Sequence, residues 1–176
     1  MKSERRSGIL FDLDGVLIDS EQAHYQATRL AFSERQLPEP SEEVYQTLML
    51  GRPDREAIAA ALAALALPSQ ELEPLLEAKA RFYRELLRAG AVDLLDDGLA
   101  TLEAALQHDY PVAIVTGALA EEARWALATA GFLGRIAVVV AAEDVRRGKP
   151  DPEPYLLGCA RLGTAPQRSL AIEDSP

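Results

Sequence analysis

Four short apolar runs punctuate the chain: Gly8–Phe11, Val112–Val115, Ile136–Val140 and Ser169–Ile172. Most are rich in Val and Ile, and polar or turn-forming residues bound them, which predicts buried β-strands. Helical spacing fills the intervals between them. Leu99, Leu102 and Leu106 recur at i, i+3 and i+7. Ala120–Ala130 reads as a helix ending at Gly131, a residue suited to the left-handed conformation that closes helices. Asp151-Pro152 reads as an N-cap followed by proline at the first helical position. Strands alternating with helices predict an α/β fold, a doubly wound parallel sheet covered on both faces.

One interval breaks this rhythm. A crossover helix needs only about a dozen residues, yet the stretch between the first and second strands is several times longer, and the excess reads as entirely helical. Start signals fall at Ser20, Ser41 and Pro68-Ser69, and breaks at Pro38, Pro40 and Gly51-Arg52-Pro53. Leu72, Leu75, Leu76, Tyr83, Leu86 and Leu87 follow one helical stripe. The expected division is an α/β core over residues 1–19 and 92–176, with a helical domain inserted over residues 20–91. Ligands of open parallel sheets bind beyond the carboxyl ends of the strands, so an insertion rooted there is expected to cover the site.

The chain has 176 residues, 48% of them hydrophobic and 26% charged, which excludes a disordered or collagen-like polymer. Its net charge of −10 repels phosphate backbones and anionic lipid, so neither nucleic acid nor a membrane surface is an expected partner. A local cation inside a cleft still admits a small anionic substrate. The single cysteine, Cys159, permits no internal disulfide and no Cys-rich zinc site; it reads as a small core residue in a reducing, cytoplasmic protein. Lys2, Arg5 and Arg6 precede an apolar run too short for a signal peptide, and the Ala/Leu tract Ala57–Leu67 is too short to span a membrane.

The chemistry lies where the predicted strands end. The first runs into Phe11-Asp12-Leu13-Asp14-Gly15, two carboxylates at i and i+2 that share a face while the chain stays extended. Two close acids do not both ionise freely without a cation, and a hard divalent ion such as Mg²⁺ lets one stay anionic while the other holds a proton. The second strand is followed by Thr116-Gly117, a hydroxyl and a backbone open to close approach. The third leads through a loop to Gly148-Lys149-Pro150-Asp151-Pro152, and the fourth ends at Glu173-Asp174-Ser175. Taken alone, the first acid pair reads equally well as a solvated turn. Four parallel strands delivering acids, a hydroxyl, a lysine and more acids to one edge form a far more specific set.

These four motifs, DLDGVLIDS, VTG, GKPDP and IEDS, resemble in order those of the haloacid dehalogenase-like superfamily, in its phosphatase and β-phosphoglucomutase-like branch with a helical cap. The resemblance implies a Rossmann-like core and roles for particular residues. Asp12 matches the nucleophile that forms an aspartyl-phosphate. Asp14 matches the general acid/base, with its main-chain carbonyl on the metal. Thr116 matches the group that binds phosphoryl oxygens, with Gly117 beside it. Lys149 matches the charge-offsetting cation, and Glu173 and Asp174 the acids that complete a Mg²⁺ site with Asp12 and Asp14. The second aspartate argues against dehalogenation, because a carbon–halogen bond has no leaving oxygen to protonate. Relatives usually continue past the last motif with a helix and a strand, whereas this chain ends at Pro176, so it reads as C-terminally shortened, with its second acid pair exposed to fraying.

In the inserted domain, Lys79 falls within the apolar stripe, where a lysine either snorkels to solvent or points into a cleft. A lysine four residues before a tyrosine contacts substrate in relatives. Arg52 and Arg55 flank the Gly51–Asp54 turn and are either substrate-facing or ordinary surface groups. Mutases of this family carry an arginine three residues after the corresponding glycine; Asp54 stands there instead, which weakens a mutase assignment. His24 matches a histidine that assists the acid/base aspartate, or else makes a local helix-entry bond. His108 reads as a helix C-terminal partner, Trp125 as core, and Arg146-Arg147 as either a solvated loop or an extension of the cleft's positive side.

The resulting expectation is a Mg²⁺-dependent phosphohydrolase acting on a small phosphorylated metabolite, a sugar phosphate or a phosphoglycolate-like ester. The alternatives are a hexose-phosphate mutase, a receiver-like phospho-acceptor module and a non-catalytic fragment. Spacing along the chain determines neither the substrate nor the oligomeric state.

Overall fold

The computed structural model describes residues 7–175. Lys2, Arg5, Arg6 and the terminal Pro176 lie outside the described residues. The chain divides into two compact units, one running up to Asp19 and resuming at Val92, the other Ser20–Ala91.

The first unit is built on β1 (Ile9–Phe11), the short β2 (Ile18–Asp19) and β3 (Asp93–Leu94), β4 (Val112–Val115), β5 (Val138–Val140) and β6 (Leu170–Ile172). Four of them form a parallel sheet in the order β5-β4-β1-β6. Its pairing is in register, with Phe11 opposite both Ile114 and Ile172, and Val115 opposite Val140. The second strand has the bounds that its apolar run predicts; the others are trimmed by one or two residues. Ile136 and Ala137 fall outside β5 because pairing with β4 begins only at Ala113–Val138. The small antiparallel pair β2–β3, in which Ile18 faces Leu94, joins the chain's exit from this unit to its return; the sequence pattern carries no sign of it.

Alternation along the strands explains the layering. Phe11, Val112 and Ile114 point to one face and pack with Leu102, Ala105, Ala123, Ala126 and Leu127. Leu10, Ala113, Val115 and Val140 point to the other face and pack with Cys159. In chain-order numbering, the packed residues belong to α5 (Asp96–Gln107) and α6 (Ala120–Thr129) on the first face and to α7 (Glu153–Leu162) on the second. Phe11 and Ile114 are fully buried, and emptying either site by truncation to Ala costs about 2–5 kcal/mol. Cys159 is a buried core residue, as its apolar neighbours predict, whereas Trp125 is only partly buried. Trp125 is thus a correction to the core assignment: it stands on α6, where Ala123, Ala126 and Leu127 take the buried positions.

The second unit contains α1 (Glu21–Glu34), the single turn α2 (Glu42–Val44), a π-helical turn at Tyr45–Met49, α3 (Asp54–Ala64) and α4 (Leu72–Arg88). Phe32, Tyr45, Met49, Ile58, Leu62 and Leu75 are buried in its own core. Ser41 caps α2 as predicted, its hydroxyl accepting from Val44 N–H at 3.3 Å. Ser20 stands at the N-cap of α1 without making a side-chain cap bond there. Asp151 is displaced by one residue from its expected place: Pro152 occupies the N-cap of α7, yet Asp151 Oδ1 still accepts from Glu153 N–H at 2.9 Å. No helix among the described residues is long and apolar enough to cross a membrane.

Candidate active site

Parallel pairing brings the carboxyl ends of β1, β4, β5 and β6 to one edge of the sheet. The Phe11–Ile172 register makes Asp12 and Glu173 the next residues on adjacent strands, and Asp12 N–H donates to the Ile172 carbonyl at 2.9 Å. Asp12 is 8% exposed, and its Oδ1 accepts from Leu13 N–H at 2.7 Å. Lys149 arrives from the loop before α7. Its Nζ lies 2.7 Å from Asp12 Oδ1 and 2.7 Å from Glu173 Oε1. Both contacts are at ion-pair distance, although neither has hydrogen-bond geometry.

Tyr155 completes this cluster, a residue that none of the four sequence motifs includes. Its hydroxyl donates to Glu173 Oε1 at 2.9 Å, and its ring centroid lies 5.3 Å from Lys149 Nζ. The signal for it was an aromatic residue one helical turn into α7, close behind the lysine. A cavity of about 450 Å³ adjoins these groups, lined by Lys149, Pro150, Tyr155, Glu173 and Ser175 among others.

Asp12, Glu173 and Asp174 each offer a carboxylate oxygen, and the three oxygens lie within 4.8 Å of one another. Asp14 is not one of this converging trio; its backbone bridges to Ile18 in the turn where Gly15 N–H donates to the Ile18 carbonyl at 2.8 Å. Gly15 has φ +73°, and a Cβ there would collide with the Asp174 carboxylate. Glycine at this position thus lets the Asp174 carboxylate lie against the turn that follows Asp14. Thr116 and Gly117 leave β4 at the same edge. Thr116 is buried, and its Oγ1 accepts from Ala118 N–H at 3.0 Å.

The electrostatics of the acids follow from burial and from Lys149. Burial pushes the Asp12 carboxyl up to about 7; Lys149 pulls it down, and the hydrogen bond with Glu173 adds to the rise. Burial also acts to raise Glu173, but Lys149, Asp12 and Tyr155 together hold it at about 2. Of the two acids, Asp12 is therefore the harder to ionise. Three clustered carboxylates stand beside the Lys149 ammonium. An all-oxygen donor set short of positive charge suits a hard divalent cation such as Mg²⁺.

The remaining candidates lie in the helical unit. His24, Arg52 and Lys79 line one cavity of about 160 Å³ together with Glu21, Tyr45 and Asp54. Lys79 is 5% exposed and forms an ion pair with Asp54, so it points into this cavity and does not snorkel to solvent. The His24 ring stacks on Tyr83 at 3.9 Å between centroids. The other basic side chains behave as surface groups. Arg55 pairs with the exposed Glu73, Arg147 with Asp151 and Glu153, and His108 takes the C-cap of α5. The Arg146 backbone N–H donates to Glu153 at 2.9 Å.

The haloacid dehalogenase-like hydrolase family matches residues 7–176. The chain belongs to that family. Among its relatives, this hydrolase is 35% identical over 167 residues to validoxylamine A 7'-phosphate phosphatase of Streptomyces hygroscopicus subsp. limoneus, covering 95% of this chain and 76% of that protein. It is 33% identical over 175 residues to N-acetylmuramic acid 6-phosphate phosphatase of Pseudomonas aeruginosa, covering 99% and 76%. The crystal structure of CbbY from Rhodobacter sphaeroides in complex with phosphate superposes with a TM-score of 0.79 at 24% identity, over 97% of this hydrolase and 78% of that chain. That likeness extends the family assignment to the fold.

Proposed function

We propose that this hydrolase is a Mg²⁺-dependent phosphomonoesterase that acts on a small phosphorylated metabolite in the cytoplasm through an aspartyl-phosphate on Asp12. The observation that carries the reading is Lys149 Nζ at 2.7 Å from both Asp12 and Glu173 on the carboxyl edge of a parallel sheet. An ammonium held between two acids at that edge suits the capture of a phosphoryl group. The two curated relatives named above, both called phosphatases, support the same chemistry.

In this reading Asp12 Oδ attacks phosphorus in line with the ester oxygen. The P–O bond to the alcohol breaks as the Asp12–phosphorus bond forms, and Asp14, protonated, donates its proton to the departing oxygen. Water then attacks the same phosphorus; Asp14 takes the water's proton, and the bond to Asp12 breaks to release inorganic phosphate. Thr116 Oγ1 and Gly117 N–H bind phosphoryl oxygens, and Lys149 offsets charge on both Asp12 and the phosphoryl group. Asp12, Glu173, Asp174 and the Asp14 carbonyl would hold Mg²⁺. The ion supplies the charge that lets an anionic ester approach an ionised Asp12.

The test is phosphate release from p-nitrophenyl phosphate with Mg²⁺, with EDTA, and in Asp12→Asn. Release that stops in the variant and in EDTA is the expected result; release that persists in Asp12→Asn overturns it. Conversion of β-glucose 1-phosphate to the 6-phosphate without free phosphate, given a bisphosphate primer, would assign a mutase instead.

A further inference from the structure

The parallel sheet ends at β5, which pairs only with β4 among the described residues. A strand at such an edge presents unpaired backbone groups to any other strand. Residues 136–142 read Ile-Ala-Val-Val-Val-Ala-Ala, a segment without charge, proline or glycine. Uncharged segments rich in β-branched side chains pair readily with copies of themselves. Ala137 is exposed. A cavity of about 360 Å³, lined in part by Ala137, Val139, Asp144 and Arg161, opens along the strand.

Only the middle residue of β5 turns its backbone outward. Thr116 N–H donates to the Val140 carbonyl at 2.9 Å, so Val140 faces β4, and alternation turns the backbone groups of Val139 away from it. Arg161, in the last turn of α7, reaches that outward carbonyl: its Nη1 donates to Val139 O at 2.9 Å. The same guanidinium donates to both oxygens of Asp144, at 3.1 Å from Nη1 and 2.6 Å from Nη2. Asp144 is tied in turn to the end of the strand, its Oδ2 accepting from Ala141 N–H at 3.0 Å. The hydrogen bonds from Arg161, then that from Ala141, hold the Asp144 carboxyl below the usual carboxylate range. A planar fork can hold a carboxylate and a carbonyl in one fixed pose, which a single ammonium cannot.

We propose that Arg161 is an edge guard. Anchored by Asp144, it occupies the outward carbonyl of β5 and lays a charge where the same segment of a second copy of this chain would have to lie. Pairing there must either break the guanidinium–carboxylate contact or bury it, and both are costly. The net charge of −10 holds copies apart only at long range, because exposed charges are screened beyond about 8 Å at physiological salt. Contact at the strand itself is left to Arg161. Nothing in this inference rests on the phosphatase reading.

The experiment is light scattering behind a sizing column at physiological salt, over about a hundredfold range of concentration from micromolar upward. Arg161→Met keeps the aliphatic stem and removes the donors and the charge. Its average mass is expected to rise at least about twofold above that of the wild type at the highest concentration, with the circular-dichroism spectrum unchanged. Adding Ala137→Lys restores a charge to the segment without restoring any bond of Arg161. It is expected to return the mass to the wild-type value without recovering any melting temperature lost with Arg161. A folded Arg161→Met that matches the wild-type mass throughout overturns the proposal. So does association that Ala137→Lys leaves untouched, which would mark general loosening of the fold. If Arg161→Met unfolds, Asp144→Asn takes its place, freeing the guanidinium while its side-chain oxygen still accepts from Ala141, and the same two comparisons decide.

Discussion

The Tyr155 hydroxyl donates a 2.9 Å hydrogen bond to Glu173 Oε1, the same oxygen that lies 2.7 Å from Lys149 Nζ. One carboxylate oxygen thus meets an ammonium and a phenol at once, and its orientation is set from α7 as well as from β6. Tyr155 acts as a positioning residue. Tyr155→Phe keeps the ring beside Lys149 and removes only the donor. The expected result is about tenfold weaker activation by Mg²⁺, read as a shift in the metal titration of activity, with kcat at saturating metal nearly retained. An unshifted titration would show that Glu173 needs no help from Tyr155.

Lys149→Met keeps much of the side chain's length and removes its charge. The Asp12 and Glu173 carboxylates then face each other without the ammonium. Turnover of p-nitrophenyl phosphate is expected to fall by at least about 100-fold, with the circular-dichroism spectrum unchanged. A loss of less than tenfold would mean that Lys149 is structural.

Gly98, in the first turn of α5, lies so close to the preceding loop that a Cβ would collide with the Val16 carbonyl. Gly98→Ala must push the helix away from backbone, which cannot rotate aside as a side chain can. A loss of about 1–3 kcal/mol is expected, measured as a lowered urea midpoint. Ala at an exposed helical site would raise stability instead, so the sign of the change decides the matter.

His24 couples stability to pH. Its imidazole is held at about 4 in the folded chain, against 6.5 for the free group, by burial first and then by Lys79. The unfolded chain therefore binds a proton that the folded chain refuses. Stability from this source is complete above about pH 6.5, drains as pH falls, and levels off below about pH 4. The size is on the order of 3 kcal/mol. The check is the difference in urea midpoint between wild type and His24→Asn at pH 7 and pH 4.5. The gap should narrow or reverse in acid, and a constant gap would refute the assignment.

Much of this was legible from pattern alone. Val112–Val115 stands out because a β-branched run has no helical period and sits between turn signals. Asp12, Lys149, Glu173 and Asp174 were legible because parallel strands must end on one edge. What the pattern missed depends on which way a side chain turns. The stripe through α4 left Lys79 with two destinations, and only its packing beside Asp54 chose the cavity. Tyr155 carried no signal because a phenol in a helix shows its partner only once β6 is paired beside it. The β2–β3 ladder escaped notice because two-residue strands have no periodicity to detect. Trp125 misled because large aromatics favour the interior on average, whereas α6 fills its inner face with alanines and Leu127.

The contact between Gly98 and the Val16 carbonyl has a bearing on how this protein can change over time. Asp14 and Gly15 belong to the same tight loop, and that loop is clamped backbone to backbone against a helix. Backbone cannot be compensated by a neighbouring substitution in the way that a crowded side chain can. The few residues around Gly15 are therefore locked in length and composition, while positions away from this contact remain free to vary without disturbing the turn that carries Asp14.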